Sequence, residues 1–135
     1  MRATDFITES NIIWNTNIAD MMPQNQSLAK KGVLRRVNIQ ELFEKTPKNY
    51  RLNIADPTGG KNKIGDRVSR SIQHWQEGGR MDPPILSIQN RQVNFLDGRH
   101  RLVAAAQLGE IEAPIIIAPA DNLKQASEIL KLKKW

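Results

Sequence analysis

At 135 residues and 15.3 kDa, the chain has the size of one ordinary domain and can bury a core without staples. Its 39% hydrophobic and 25% charged residues argue against a wholly disordered chain, and the absence of cysteine excludes disulfides, thiolate zinc sites and a cysteine nucleophile. The net charge of +6 is uneven: residues 1–29 hold one basic and three acidic residues, whereas residues 30–135 hold nineteen basic and eleven acidic, a balance that favours an anionic partner.

Residues 1–29 are polar and rich in Asn and Gln, with Phe6, Ile12, Ile13, Trp14 and Ile18 placed without sustained period. They read as an arm or extension with one short element around 12–18, and the plainest role for such a segment is to cover an exposed edge of the core. The domain proper is expected over 30–135. Val33–Val37 is a short β-type run, and Asn38 precedes Glu41 at the spacing of a capping box, with Leu42 and Phe43 as the apolar side of a helical turn. Residues 46–62, centred on Asp56-Pro57-Thr58-Gly59-Gly60, read as a loop.

Ile64, Val68, Ile72 and Trp75 then recur at helical spacing, and Gly78-Gly79 ends that helix. Pro83-Pro84 leads into Ile85–Ile88. Asn90-Arg91 is a turn, and Gln92–Leu96 completes a predicted hairpin. Asp97-Gly98 turns into an Ala-rich helix over 99–108, closed by Gly109. Ala113–Ala118 is almost continuously apolar and reads as a buried strand. A last helix is expected over 121–132, and the tail Lys131, Lys133, Lys134 and Trp135 reads as its frayed end. No run approaches the ~18 apolar residues of a membrane span, and no basic-then-apolar start suggests a signal peptide, so the cytoplasm is the expected compartment.

The segment with most chemistry is Asp97-Gly98-Arg99-His100-Arg101. A strand passes through one glycine into a helix whose first amides lack intrahelical partners and sit at the positive end of the dipole. Gly98 admits a ligand close to the backbone. Arg99, His100 and Arg101 add cationic donors, which together make a phosphate site. Successive helical residues splay by ~100°, so the three side chains are not all expected to face one ligand. The plainer alternative makes Asp97 a helix cap and leaves Arg99 and Arg101 in solvent.

This segment with its continuation Leu102-Val103-Ala104-Ala105, Leu108-Gly109 and the strand Ala113–Ile117 resembles the ParB-like nuclease domain of the ParB/sulfiredoxin superfamily. The resemblance spans about 33–118 and is specific at 93–109. In partition proteins the matching motif reads Gly-Glu-Arg-Arg and contributes to a nucleoside-triphosphate site. In sulfiredoxins it reads Gly-Cys-His-Arg and binds ATP phosphates. Gly98, His100 and Arg101 fit these patterns. Arg99 stands where the relatives carry Glu or Cys, so sulfiredoxin chemistry is excluded and the hydrolytic role of the Glu is not carried over. The chain lacks room for the helix-turn-helix and dimerisation regions of a full partition protein. The resemblance implies an α+β fold with a small mixed sheet, and a phosphate or nucleotide pocket of prokaryotic or phage type. Its ligand would be a nucleoside triphosphate with Mg²⁺, or DNA.

Elsewhere, Lys61 and Lys63 with Arg67 and Arg70 can meet a nucleic-acid backbone, although a solvated loop and helix face would show the same residues. Gly59-Gly60-Lys61 is not a Walker loop, because Ala55 and Asn62 occupy positions that need Gly and Ser or Thr. His74 and His100 are the only histidines and have no two-His metal spacing. Asp56, Asp82 and Asp97 each sit in turns where Asp needs no metal, so no metal site is expected. Aromatic content of 5% gives little platform for stacked bases.

The expectation is therefore a stand-alone ParB-like domain that binds nucleotide or nucleic-acid phosphates through Gly98, Arg99, His100 and Arg101. Asp97 and His100 would be the candidates for acid–base or metal roles if it hydrolyses a nucleotide or nucleic acid. Two alternatives remain: a non-catalytic DNA-binding or regulatory module, and a small-molecule kinase or phosphohydrolase on the same fold.

Overall fold

The computed structural model describes residues 12–46 and 64–135, with side chains from residue 67 onward in the second stretch. Five helices occur there: α1 (Pro23–Ala29), α2 (Ile39–Glu44), α3 (Ile64–Gln76), α4 (Arg99–Gln107) and α5 (Leu123–Ile129). Five strands accompany them: β1 (Val33–Asn38), β2 (Ile85–Gln89), β3 (Gln92–Asp97), β4 (Glu112–Ile117) and β5 (Lys133–Lys134). The strands form one mixed sheet in the order β3-β2-β4-β1-β5. β2 and β4 run parallel, and the other neighbours are antiparallel. The chain is thus an α+β protein built on a small mixed sheet with packed helices. Among the described residues no helix is long and apolar enough to cross a membrane.

The run Ala113–Ala118 is apolar at every position because β4 is covered on both faces. Ala113, Ile115 and Ile117 enter the main core with Val37, Leu86, Leu102, Trp75 and others. Ile116 and Ala118 enter a second, smaller core with Ile85, Met21 and Ala29. The polar N-terminal segment therefore contributes more than the edge cover expected of it. Its α1, which starts at Pro23 in the first helical position, helps to close the far face of the sheet. A one-turn 3₁₀ helix at Ile18–Asp20 precedes it, capped by the Asn17 side chain. Before it, Trp14 forms a parallel β-bridge with Met81.

Several local expectations hold. The Asn38 side chain accepts the Glu41 amide at 2.9 Å and caps α2. The β2–β3 hairpin turns at Asn90 and Arg91, both at positive φ as a tight two-residue turn requires. Val68 and Trp75 are fully buried on α3 and Ile72 is partly buried, while Ile64 lies outside the described side chains.

Others need correction. The expected helix over 121–132 is a 3₁₀ turn at Ala120–Asn122 followed by α5, and it stops at Leu130, whose backbone is extended. The tail is not a frayed helix end. Lys133 and Lys134 pair with Arg36 and Arg35 as β5, and the Arg36 guanidinium stacks on the Trp135 ring at 4.7 Å. Four cations meet on this edge, and the charge is relieved by Glu112, which bonds Lys133 at 2.7 Å, and by the Trp135 π face.

Candidate anion site

The start of α4 lacks a side-chain cap. Gly98 occupies the N-cap at φ +94°, a left-handed conformation that places a helix directly after a strand without a Cβ. Asp97 is the last residue of β3, not a helix cap. It forms an ion pair with Arg101, Oδ2 to Nη2 at 3.2 Å. Arg101 is not solvated either, since its side chain is only 15% exposed. Its Nε–H donates to the Asp82 carbonyl at 2.8 Å and Nη2 donates to the Pro83 carbonyl at 3.4 Å. Three of its five N–H groups are thereby engaged, and the two on Nη1 have no hydrogen-bond partner among the described residues.

Packing of α3 against α4 brings the α3 residues of this site against the 97–101 segment, 23 or more residues further along the sequence. Arg67, Arg70, Ser71 and His74 from α3 line one cavity of about 480 Å³ with Met81, Asp97, Gly98, His100 and Arg101. Arg67 and Arg70 are exposed. They lie three apart, on neighbouring positions of one helix face. Of the expected phosphate residues, Gly98, His100 and Arg101 form part of the wall. The Arg99 side chain does not, as the splay of successive helical residues anticipates. Lys61 and Lys63 lie outside the described residues.

Sequence reasoning passed over Ser71, His74 and Met81. The first two follow Arg67 and Arg70 at i+4, a signal that was there to be read. His74 has a structural task, because its Nε2 is 2.9 Å from the Arg80 carbonyl and so carries the proton that closes the turn after α3.

A second concavity of similar size is walled by Trp14, Arg36, Ile111, Pro114 and Trp135 among others. Its walls are mainly apolar, and its arginine is already stacked on an indole. The cavity at α4 is the one with anion chemistry.

The electrostatics there are unbalanced. Burial, and then the charges of Arg67, Arg99 and Arg101, push the His100 pKa below its usual 6.5, with only Asp97 opposing. His100 is therefore neutral at pH 7, with one ring nitrogen able to accept a proton or a hydrogen bond. An unfolded chain protonates this histidine before the native state does. Stability from this group is thus present above pH 6.5 and is lost as pH falls from 6.5 toward the depressed native value. Denaturant unfolding at about pH 7.5 and about pH 5.5 should show a smaller acid loss for His100→Gln than for the unaltered chain. Equal losses would place the acid sensitivity elsewhere.

For Mg²⁺, Asp97 is the sole carboxylate among the described residues of the wall, and it already engages Arg101. No group of three or more His, Asp or Glu that could hold a metal is found among the described residues. A magnesium ion would rely chiefly on phosphate oxygens of its ligand. No family model, curated protein or solved structure matches the chain.

Proposed function

We propose that this protein binds phosphate groups of nucleic acid or of a nucleotide in the cavity between α3 and the start of α4, on a domain of ParB/sulfiredoxin-like architecture. The observation that carries the reading is the convergence of Arg67 and Arg70 on the uncapped helix start at Gly98–Arg101. Amide dipoles and guanidinium groups there act on the same volume. Met81 is the one large apolar side chain in the described wall, and no Phe, Tyr or Trp ring lies there, only the imidazoles of His74 and His100. A stacked base gains little in such a site, so the balance favours a phosphodiester strand over a free nucleotide. The neutral His100 next to this cationic cluster supports a second reading, hydrolysis of the bound ester with His100 taking the proton of an attacking water.

A salt titration of binding tests the first reading. Duplex DNA and inorganic pyrophosphate should both bind at ~50 mM salt. Changing Arg67 and Arg70 to Ala together should weaken duplexes of unrelated sequence alike. It should also reduce the slope of log affinity against log salt by about two, one per lost phosphate contact. Both side chains are exposed, so stability should change little. An unchanged slope removes α3 from the interface, and no binding of either ligand defeats the reading.

A further inference from the structure

We infer that Asp82 is a positioning residue for Arg101, and that it works by fastening residues 15–25 to the turn whose carbonyls hold the guanidinium; this inference rests on the anion-binding reading above. Asp82 is a buried carboxylate, 6% exposed, outside the cavity wall. Its Oδ1 accepts from Asn15 Nδ2 at 3.0 Å. Its Oδ2 accepts from Asn25 Nδ2 at 2.7 Å and from the Met22 amide at 2.9 Å. Burial opposes the charge. The bonds from Asn15, Asn25 and Met22, together with the nearby Arg101 charge, outweigh it and hold the carboxyl below its usual 3.8. Asp82 therefore stays ionised wherever the protein is folded near neutral pH.

The same residue meets the site through its backbone. Its carbonyl accepts the Arg101 Nε–H, and the next carbonyl, of Pro83, accepts from Nη2. Together with the Asp97 ion pair, these carbonyls define the pose of the Arg101 guanidinium. The direction of the carbonyls is set from two sides. Toward β2, the Pro84 carbonyl accepts the Ile116 amide at 2.9 Å, which ties the turn to the sheet. Toward the N-terminus, Met81 bonds Ile13 and Asn15 through its own N–H and C=O, and the Asp82 carboxylate gathers Asn15, Met22 and Asn25. The N-terminal segment contributes no atom to the described cavity wall, yet it holds the peptide that aims Arg101.

A purely structural role for Asp82 would lower stability without singling out Arg101. Coupling to Arg101 separates the two. Inorganic pyrophosphate is the probe, titrated calorimetrically into the full chain. Asp82→Asn replaces an acceptor with a donor facing donors, and is expected to weaken pyrophosphate about tenfold. In an Arg101→Ala background the same change should alter affinity less than about twofold, whereas Arg67→Ala should act in both backgrounds. Asn15→Ala leaves the carboxylate and its other two bonds in place. It should show the same dependence on Arg101 at about threefold, and it carries the test if Asp82→Asn does not fold. Wild-type affinity in both the Asp82 and Asn15 variants, or equal losses with and without Arg101, overturns the inference while leaving the anion site standing. Absence of pyrophosphate binding by the unaltered chain instead defeats the anion site, and the inference with it.

Discussion

Trp75→Ala should lower stability by about 3–5 kcal/mol, the cost of deleting a large buried aromatic side chain. Trp75 is 0% exposed and lies at the inner face of α3. Its indole meets that of Trp14 edge-on, with centroids 5.1 Å apart and planes 72° apart. Such a pair adds ~0.5–1.5 kcal/mol beyond its buried area. Its Nε1–H donates to the Ile13 carbonyl at 3.0 Å, so the truncation leaves that carbonyl with the Met81 amide alone. Trp75 thus ties the N-terminal segment to the helix that carries Arg67 and Arg70. Denaturant unfolding followed by far-UV circular dichroism measures the loss. A change below about 1 kcal/mol would contradict the packing of α3 described above.

Gly98→Ala should be nearly as costly to the fold, by about 2–4 kcal/mol, and more costly to binding. The left-handed conformation at φ +94° penalises any L side chain by ~1–2 kcal/mol. Space is a second objection: an added Cβ would lie 2.6 Å from Arg101 Nη2 and 2.7 Å from the Pro84 Cα. The guanidinium would have to leave its carbonyls or β2 would have to move, and overpacking of this kind costs ~1–3 kcal/mol. Pyrophosphate affinity should fall at least about tenfold even at temperatures where the variant is fully folded. Retained affinity would show that the ligand does not approach the start of α4. By comparison, Gly109 also has positive φ, but nothing lies within 4 Å of an added Cβ there, so only the conformational penalty applies.

Much of the fold was legible because local chemistry determined it. The hairpin turn, the Asn38 cap, the α4 start and the doubly covered β4 each follow from residues adjacent in sequence. The mistaken C-terminal helix shows the limit of that information. Leu123, Ala126, Ile129 and Leu130 do recur at helical spacing, but Leu130 is drawn extended so that Lys133 and Lys134 reach β1. In the candidate site, both cationic clusters were visible, yet as separate features. Nothing in their spacing says that α3 packs on α4. Asp82 was harder still. Its side-chain partners Asn15 and Asn25 lie 67 and 57 residues away, and an Asp before two prolines is an ordinary turn residue. The apolar continuity of β4 already required a cover for its second face.

The joint between β2 and β4 is short. Only Ile85 with Ile116 and Leu86 with Ile117 are paired, while the antiparallel partnership of β1 with β4 runs six residues. The sheet is therefore two antiparallel pieces sewn together by a two-residue parallel seam, and Gly98 and Arg101 pack against the Pro83-Pro84 end of it. The β2–β3 piece closes through a two-residue turn, whereas β1 and β4 must find each other across more than seventy residues, so the two mature on different clocks. The amides of Ile116 and Ala118, which reach the Pro84 and Leu86 carbonyls, report the opening of the seam directly in native-state hydrogen exchange. An anion held by Arg101 draws on groups fixed at this joint, so occupancy of the site should slow the exchange of those two amides. In this protein the suture of the sheet and the hold on the Arg101 guanidinium share the same few peptides.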